Sequence, residues 1–303
     1  MKDNPYVGPR PYQRRHSDNF YGRNREARDL LALMLAERVV LFYAQSAAGK
    51  TSLLNAKVIP DLEDEGFHIL PVARVSNDPP PGLAAANVDN IFMFSVLLAL
   101  SQGKVAPRRL RQATLSSFLL EYYPRYATAP TAGPDGQSAD VHFDLKPPLL
   151  ILDQFEELFT THRDRWREAE DFFCQLRDAL EQMPPLGLLF AMREDYVAEV
   201  EPYAHLMPGR LRARYRIEPL GAEGALAAIT KPAESRGIRF DPGVEGDPTR
   251  PNAALWLRDE LRKVKVQRMV DGRLETSSVL GPFVEPVQLQ VVCHRMWENL
   301  PEQ

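Results

Sequence analysis

The stretch LFYAQSAAGKTSLL, residues 41–54, constrains the fold more than any other part of this chain. The apolar, β-branched run ERVVLFY (Glu37 to Tyr43) reads as a buried strand, and KTSLLNAKVIP carries a helical pattern that ends at Pro60. A strand, a loop of small residues and a helix in that order aim consecutive backbone N–H groups and a helix N-terminus at one point, which makes an anion site. Gly49, Lys50 and Thr51 bring its central chemistry: a tight turn, a cation for the outer oxygens of a polyphosphate, and a hydroxyl for Mg²⁺. Ser46, Ala47, Ala48 and Ser52 complete the loop and the first helical turn. Ala44 stands where the pattern G-x-x-x-x-G-K-[ST] has its first glycine, and one methyl is tolerated there if the turn keeps φ negative. The alternative is an ordinary strand-to-helix turn.

Further along, FHILPVARV is a second strand candidate, NIFMFSVLLALSQ an apolar helix, and LLILD and LGLLFAM two more buried strands. Between the last two, DRWREAEDFFCQLRDALEQM is amphipathic, with Trp166, Phe172, Phe173, Leu176, Leu180 and Met183 near one face. Strands that are apolar on both faces and alternate with helices imply a mostly parallel sheet covered on two sides, a three-layer α/β domain. Residues 125–148, rich in Ala, Pro, Gly and Asp and without periodicity, read as a surface insertion. RLRARYRIEPL alternates arginines with apolar residues and reads as an edge strand whose solvated arginines resist pairing. After Pro219 the pattern turns helical, and Leu289, Val292, Met296 and Leu300 recur at helical spacing. The expected partition is an α/β domain over 1–218 and a smaller helical lid over 219–303.

The segment LLILDQFEELFT places Asp153 at the carboxyl end of a buried strand, where open α/β sheets bind their ligands. Asp153 can hold Mg²⁺ through water, and Glu156 and Glu157 can orient or deprotonate an attacking water. The alternative makes Asp153 a helix N-cap and the glutamates a favourable first turn. A net charge of −4 lacks the basic excess of a phosphate-backbone binder, so nucleic acid is not an expected partner. Cys174 and Cys293 form no paired motif, and the adjacent Cys293 and His294 point apart on a helix, which argues against a metal site there. No apolar run approaches the ~20 residues of a membrane helix, so a cytoplasmic chain is expected.

The succession NPYVGPRPY, NFYGRNRE, GKTSLLNAKVIPDL, LLILDQFEELF, LLFAMREDY, IEPLGAEGALAAITKPAESRGI and EPVQLQVVCHRMWE resembles the novel STAND group of P-loop ATPases over nearly the whole chain. That resemblance implies ATP or ADP with Mg²⁺, bound where the α/β domain meets the lid. It also implies that Gly22, Arg23 and Glu26 lie by the adenine, that Arg193 senses the γ-phosphate, and that a lid proline, Pro232, touches the base. A nucleotide-controlled switch of slow turnover is the implied function, in bacterial signalling or anti-phage defence. Sensor and effector domains or protein partners would lie outside this chain, and homo-oligomerisation would accompany activation. The loop reads A-Q-S-A-A where glycines are usual in the group. Two other functions stay open: an AAA+-like ATPase that remodels DNA or protein, and a nucleotide-binding scaffold without hydrolysis.

Overall fold

A computed structural model describes residues 4–124, 146–270 and 273–300. In chain order, an N-terminal arm with a 3-10 turn at Arg14–Asn19 leads into α1 (Asn24–Ala36) and β1 (Val39–Ala44). After the loop come α2 (Lys50–Leu53), a π turn (Leu54–Val58), α3 (Ile59–Asp64), β2 (His68–Ile69), α4 (Ile91–Ser101), α5 (Pro107–Leu110) and α6 (Leu115–Tyr122). Next are β3 (Pro148–Asp153), α7 (Glu157–Thr160), α8 (Glu168–Gln182), β4 (Gly187–Arg193), α9 (Val197–Val200) and β5 (Arg214–Ile217). The remainder holds β6 (Leu220–Gly221), α10 (Ala222–Glu234), α11 (Ala253–Leu261), β7 (Lys263–Val270), β8 (Arg273–Leu280), β9 (Phe283–Val284) and α12 (Pro286–Glu298). Among the described residues, no helix is long and apolar enough to cross a membrane.

The chain divides into two compact units. A sheet unit comprises residues 30–43 and 61–216; an arm–loop unit comprises 1–29, 44–60 and 217–303. This grouping cuts across the linear partition at 218/219, because the arm and the phosphate loop cluster with the C-terminal segment.

The sheet has the order β2-β3-β4-β1-β5, with β2, β3 and β4 running parallel. β3 is buried along its whole length and β4 at all but its last residue, as strands covered on both faces must be. α4 is apolar all round and correspondingly buried, its N-terminus capped by the Asn90 side chain, which accepts the Met93 N–H. At the carboxyl end of β3 sits an aromatic cluster. Phe155, fully buried, lies 4.7 Å from Phe190, 5.9 Å from Phe173 and 6.1 Å from Phe172, measured between ring centroids.

Several expectations are corrected. β2 has two residues instead of a full strand, because Pro71 removes a ladder donor; Ala73 rejoins only as an isolated bridge to Leu152. The helix after the loop passes Pro60 and ends at Asp64, the proline falling in the first turn of α3, after the π turn, where its missing N–H does no harm. β5 begins only at Arg214, since Gly209, Arg210 and Leu211 take positive φ in a 3-10 turn. It is an edge strand, and its arginines pair with Glu201 and Glu194. Trp166 is 61% exposed, outside the helix whose face it was expected to share. Of the expected insertion, residues 125–145 lie outside the described residues and Pro148 opens β3.

The C-terminal segment carries the three expected helices, plus two strand pairs, β6–β9 and β7–β8, both antiparallel, that the helical reading lacks. On α12 the buried stripe is Leu289, Cys293 and Trp297, while Met296 and Leu300 are exposed. The stripe turns by four residues per step, and Cys293 fills it as a small apolar group whose thiol burial pushes up to about 12.

Phe155→Ala removes a ring from the centre of the sheet unit's core. Chemical denaturation should show a loss of about 3–5 kcal/mol, the range for deleting a buried phenylalanine; a loss below about 1 kcal/mol would show that the cluster does not hold the strand end.

Candidate functional site

The loop turns on two left-handed residues. Ala47 has φ +61° and Gly49 φ +94°, whereas Ala44 is not among the positive-φ residues, so the alanine in place of the first glycine is not strained. The Ala48 N–H donates to Gln45 O at 3.3 Å, closing the turn. Gly49 then serves as N-cap of α2, and its carbonyl accepts the Leu53 N–H. Lys50 folds back across the loop, its Nζ donating to the carbonyls of Ala44 at 3.3 Å and Gln45 at 3.4 Å. That position holds the ammonium over the N–H groups of the loop, where an anion would be neutralised. Ser46 and Ala47 are exposed at the loop tip.

The arm clamps this loop. Arg23 is buried, 4% exposed, and its guanidinium donates to Ala48 O at 3.0 Å and to the Glu26 carboxylate at 2.7 Å. Its planar fork is thereby spent on the loop backbone and on Glu26. Gly22 has φ +88°, and a Cβ there would fall 2.2 Å from the Gly224 carbonyl oxygen; a Cβ on Gly224 would fall 2.6 Å from Gly22 O. Two glycines therefore let the arm touch the first turn of α10 backbone to backbone. The Tyr12 N–H donates to Ser52 Oγ at 3.1 Å, so Ser52 braces the arm. At its start, the arm is fixed by the Tyr6 hydroxyl, which donates to Ile229 O, and by an edge contact of Tyr6 with Trp297.

Between these pieces lies a cavity of about 70 Å³, which opens to about 560 Å³ with the space at its mouth. Its polar end is formed by Arg23, Ala47, Ala48, Gly49 and Ser52, and its flat apolar walls by Tyr12, Phe20, Leu220, Ala228, Pro286 and Val287, with Gln290 among them. A phosphate loop at one end and aromatic and aliphatic faces at the other suit a nucleotide. Thr51 lies instead on the adjoining polar groove, with Arg10, Asn55, Arg236 and His294.

Pro232 does not line the cavity. It sits buried in the last turn of α10 and not in a first turn, where it deprives the Ala228 carbonyl of its i+4 helical donor. Ala228 does line the cavity, so the proline acts on it through the backbone. The proline on the cavity wall is Pro286, at the start of α12. Neither Pro286 nor Gln290 stood out in sequence, because each lies in an ordinary amphipathic pattern.

The second set of expected residues lies in the sheet unit, at the carboxyl ends of β3 and β4. Asp153 is buried, and its Oδ1 accepts the Gln154 N–H at 3.0 Å. Gln154 takes φ +55°, a strained value that turns the chain sharply off the strand. Glu156 Oε2 accepts the backbone N–H of Arg193 at 3.1 Å, and Glu157 Oε2 accepts the Ser76 hydroxyl at 2.5 Å. Arg193 donates from Nη2 to Asp195 at 2.5 Å, which, more than any other contact, raises its pKa above the ordinary value; its guanidinium also lies over the Tyr196 ring. Its buried Nε has no hydrogen-bond partner among the described residues.

Among the described residues, no cluster of three or more His, Cys, Asp or Glu could cage a metal. The Thr51 hydroxyl of the arm–loop unit and the Asp153 carboxylate of the sheet unit are each a hard oxygen donor of the kind Mg²⁺ accepts.

A five-stranded, mostly parallel sheet whose strand β1, set between β4 and β5, runs into this loop defines a P-loop NTPase. The chain belongs to the Novel STAND NTPase 1 family, whose model matches residues 5–249. Among solved structures it is similar to the Walker-type ATPase PABY2304 of Pyrococcus abyssi, at 12% identity and a TM-score of 0.55 over 96% of this chain and 71% of that one. It is more distantly similar to the Aeropyrum pernix ORC1 protein in complex with DNA, at 17% identity and a TM-score of 0.43 over 80% and 59% of the two chains. The ORC2 protein of the same organism, in ADPNP–ADP complexes, stands at 16% and 0.42 over 70% and 51%. No curated protein matches.

Ala47 is the strained member of the loop. Ala47→Gly should raise stability by about 0.5–1 kcal/mol, the relief of a left-handed alanine less the added freedom of the unfolded chain. Thermal unfolding measures it, and a destabilised variant would show that residue 47 does not adopt the left-handed turn.

Proposed function

We propose that the chain is the ATP- or ADP-binding module of a regulatory switch of the STAND type, part of a longer bacterial signalling or anti-phage defence protein. The observation that carries this reading is the composition of one cavity wall: the phosphate loop, the arm and helices α10 and α12 all border the same space. A ligand shifts a two-state element only through its difference in affinity for the two states. Elements of the lid that border the nucleotide cavity can supply that difference.

In this reading Lys50 and the Gly49 N–H hold the phosphates, with Ser46, Ala47, Ala48 and Ser52 shaping the loop. Gly22 and Arg23 act from the arm by fixing the loop. Thr51 and Asp153 hold Mg²⁺, which when bound neutralises phosphate charge. Glu156 and Glu157 orient and deprotonate the attacking water, and Arg193 senses the γ-phosphate through the Nε that no protein group satisfies. Glu156 and Glu157 are each already tied to a single protein donor, which fixes their direction while leaving acceptor capacity for water. Pro232 sets the geometry of α10 without touching the base.

Two experiments test it. Protein purified without added nucleotide and then denatured should release ADP, and Lys50→Ala should release none and bind none by calorimetry. An empty wild-type protein that binds neither ATP nor ADP contradicts the reading. Turnover should be slow, and the double variant Glu156→Gln with Glu157→Gln should lower it by about 100-fold or more while ATP affinity stays nearly unchanged, since water activation acts in the transition state. Equal turnover in wild type and variant would remove the two glutamates from the chemistry.

A further inference from the structure

Resting on the reading that this cavity takes a nucleotide, we propose that Gln290 of α12 recognises the base, donating an amide N–H to a ring acceptor while the arm holds that amide in place. Gln290 is a buried polar residue on the cavity wall. Its amide carries one acceptor oxygen and two N–H donors. The Val7 backbone N–H donates to Oε1 at 3.2 Å. Only the oxygen can accept that bond, so the NH₂ group is fixed on the opposite side. Tyr12 lines the same cavity beside it. The N–H donors on that side are what Gln290 brings to the cavity it lines.

Position along the cavity selects the base over the phosphates. α12 starts beside the loop, where a Cβ on Gly49 would lie 3.9 Å from Pro286 Cγ. Gln290 follows one turn later on the same face, ~6 Å along the helix axis. There it meets Tyr12, whose ring packs 5.0 Å from that of Phe20. Phosphates held at Gly49 and Lys50 leave the ribose to span this turn and bring the flat base against that aromatic wall. α12 lies beyond residue 249, where the family match ends, and it takes the place on the cavity that the resemblance assigned to Pro232.

Calorimetric titration of the full chain with ADP and with inorganic tripolyphosphate tests this directly. Methionine matches glutamine in length but has no N–H donor. Gln290→Met should weaken ADP about tenfold, the loss of one net hydrogen bond, and leave tripolyphosphate within about twofold of wild type. Lys50→Ala should weaken both. Equal weakening of both ligands in Gln290→Met, or no weakening of ADP, overturns the proposal. If Gln290→Met shows no cooperative thermal transition, the side-chain amide signals of Gln290 in the wild type decide. Their shift on adding ADP but not tripolyphosphate supports base recognition, and no shift with ADP overturns it. A wild type that binds neither compound sinks the nucleotide reading itself, whereas one that binds both with ADP untouched in Gln290→Met sinks only the role of Gln290.

Discussion

Arg23 donates from a nearly fully buried guanidinium to the carbonyl of Ala48 and to Glu26, and the arrangement of the arm–loop unit follows from that bond. If the arm lifted off the loop, the Ala48 carbonyl would lose this charged donor, so the bond ties the arm to the loop. The neighbouring contact of Gly22 with Gly224 then brings α10 to the same place, since any side chain at either position would collide with backbone. Tyr6 and Tyr12 fasten the arm on either side, to α10 through the Ile229 carbonyl and to the loop helix through Ser52. The phosphate loop is in this way built into a unit with the C-terminal helices, and the cavity is bordered by the arm, the loop, α10 and α12.

Ala44 and Ala47 give the loop its particular character. The position that departs from the usual glycine, Ala44, needs no left-handed turn, so the departure is conformationally free there. Strain falls instead on Ala47, at φ +61°, and a loop carrying that strain is still closed by the Ala48–Gln45 hydrogen bond. In the sheet unit the strained Gln154 has a parallel role, turning the chain off β3 so that Phe155 enters the aromatic core while Glu156 and Glu157 reach Arg193 and Ser76.

The sheet strands and the phosphate loop were legible in the sequence because each rests on a local pattern: unbroken apolar runs for β1, β3 and β4, and the Gly49-Lys50-Thr51 triplet after a strand. The position of Asp153, Glu156 and Glu157 at the carboxyl end of β3 was legible for the same reason. What sequence could not show depends on contacts between distant segments. Gly224 looks like any helical glycine until Gly22 is against it, and Gln290 is one polar residue among several on α12 until Val7 orients it. Pro232 drew attention because proline is rare inside helices, but burial in α10 gives it a packing place away from the cavity wall. The pair β6–β9 was missed because two-residue strands show no period, and β7–β8 because the helical pattern of the flanking segments was carried across Lys263-Val264-Lys265-Val266, whose alternation is strand-like.

The central claim is that one nucleotide is felt at once by the arm, the loop and α12. Backbone hydrogen exchange with and without saturating ADP measures this most directly, because protection reports local opening segment by segment. Added protection in three separated stretches, residues 4–24, 44–60 and 286–298, is the predicted result. Protection confined to residues 44–60, with the arm and α12 exchanging as in the nucleotide-free chain, would contradict it.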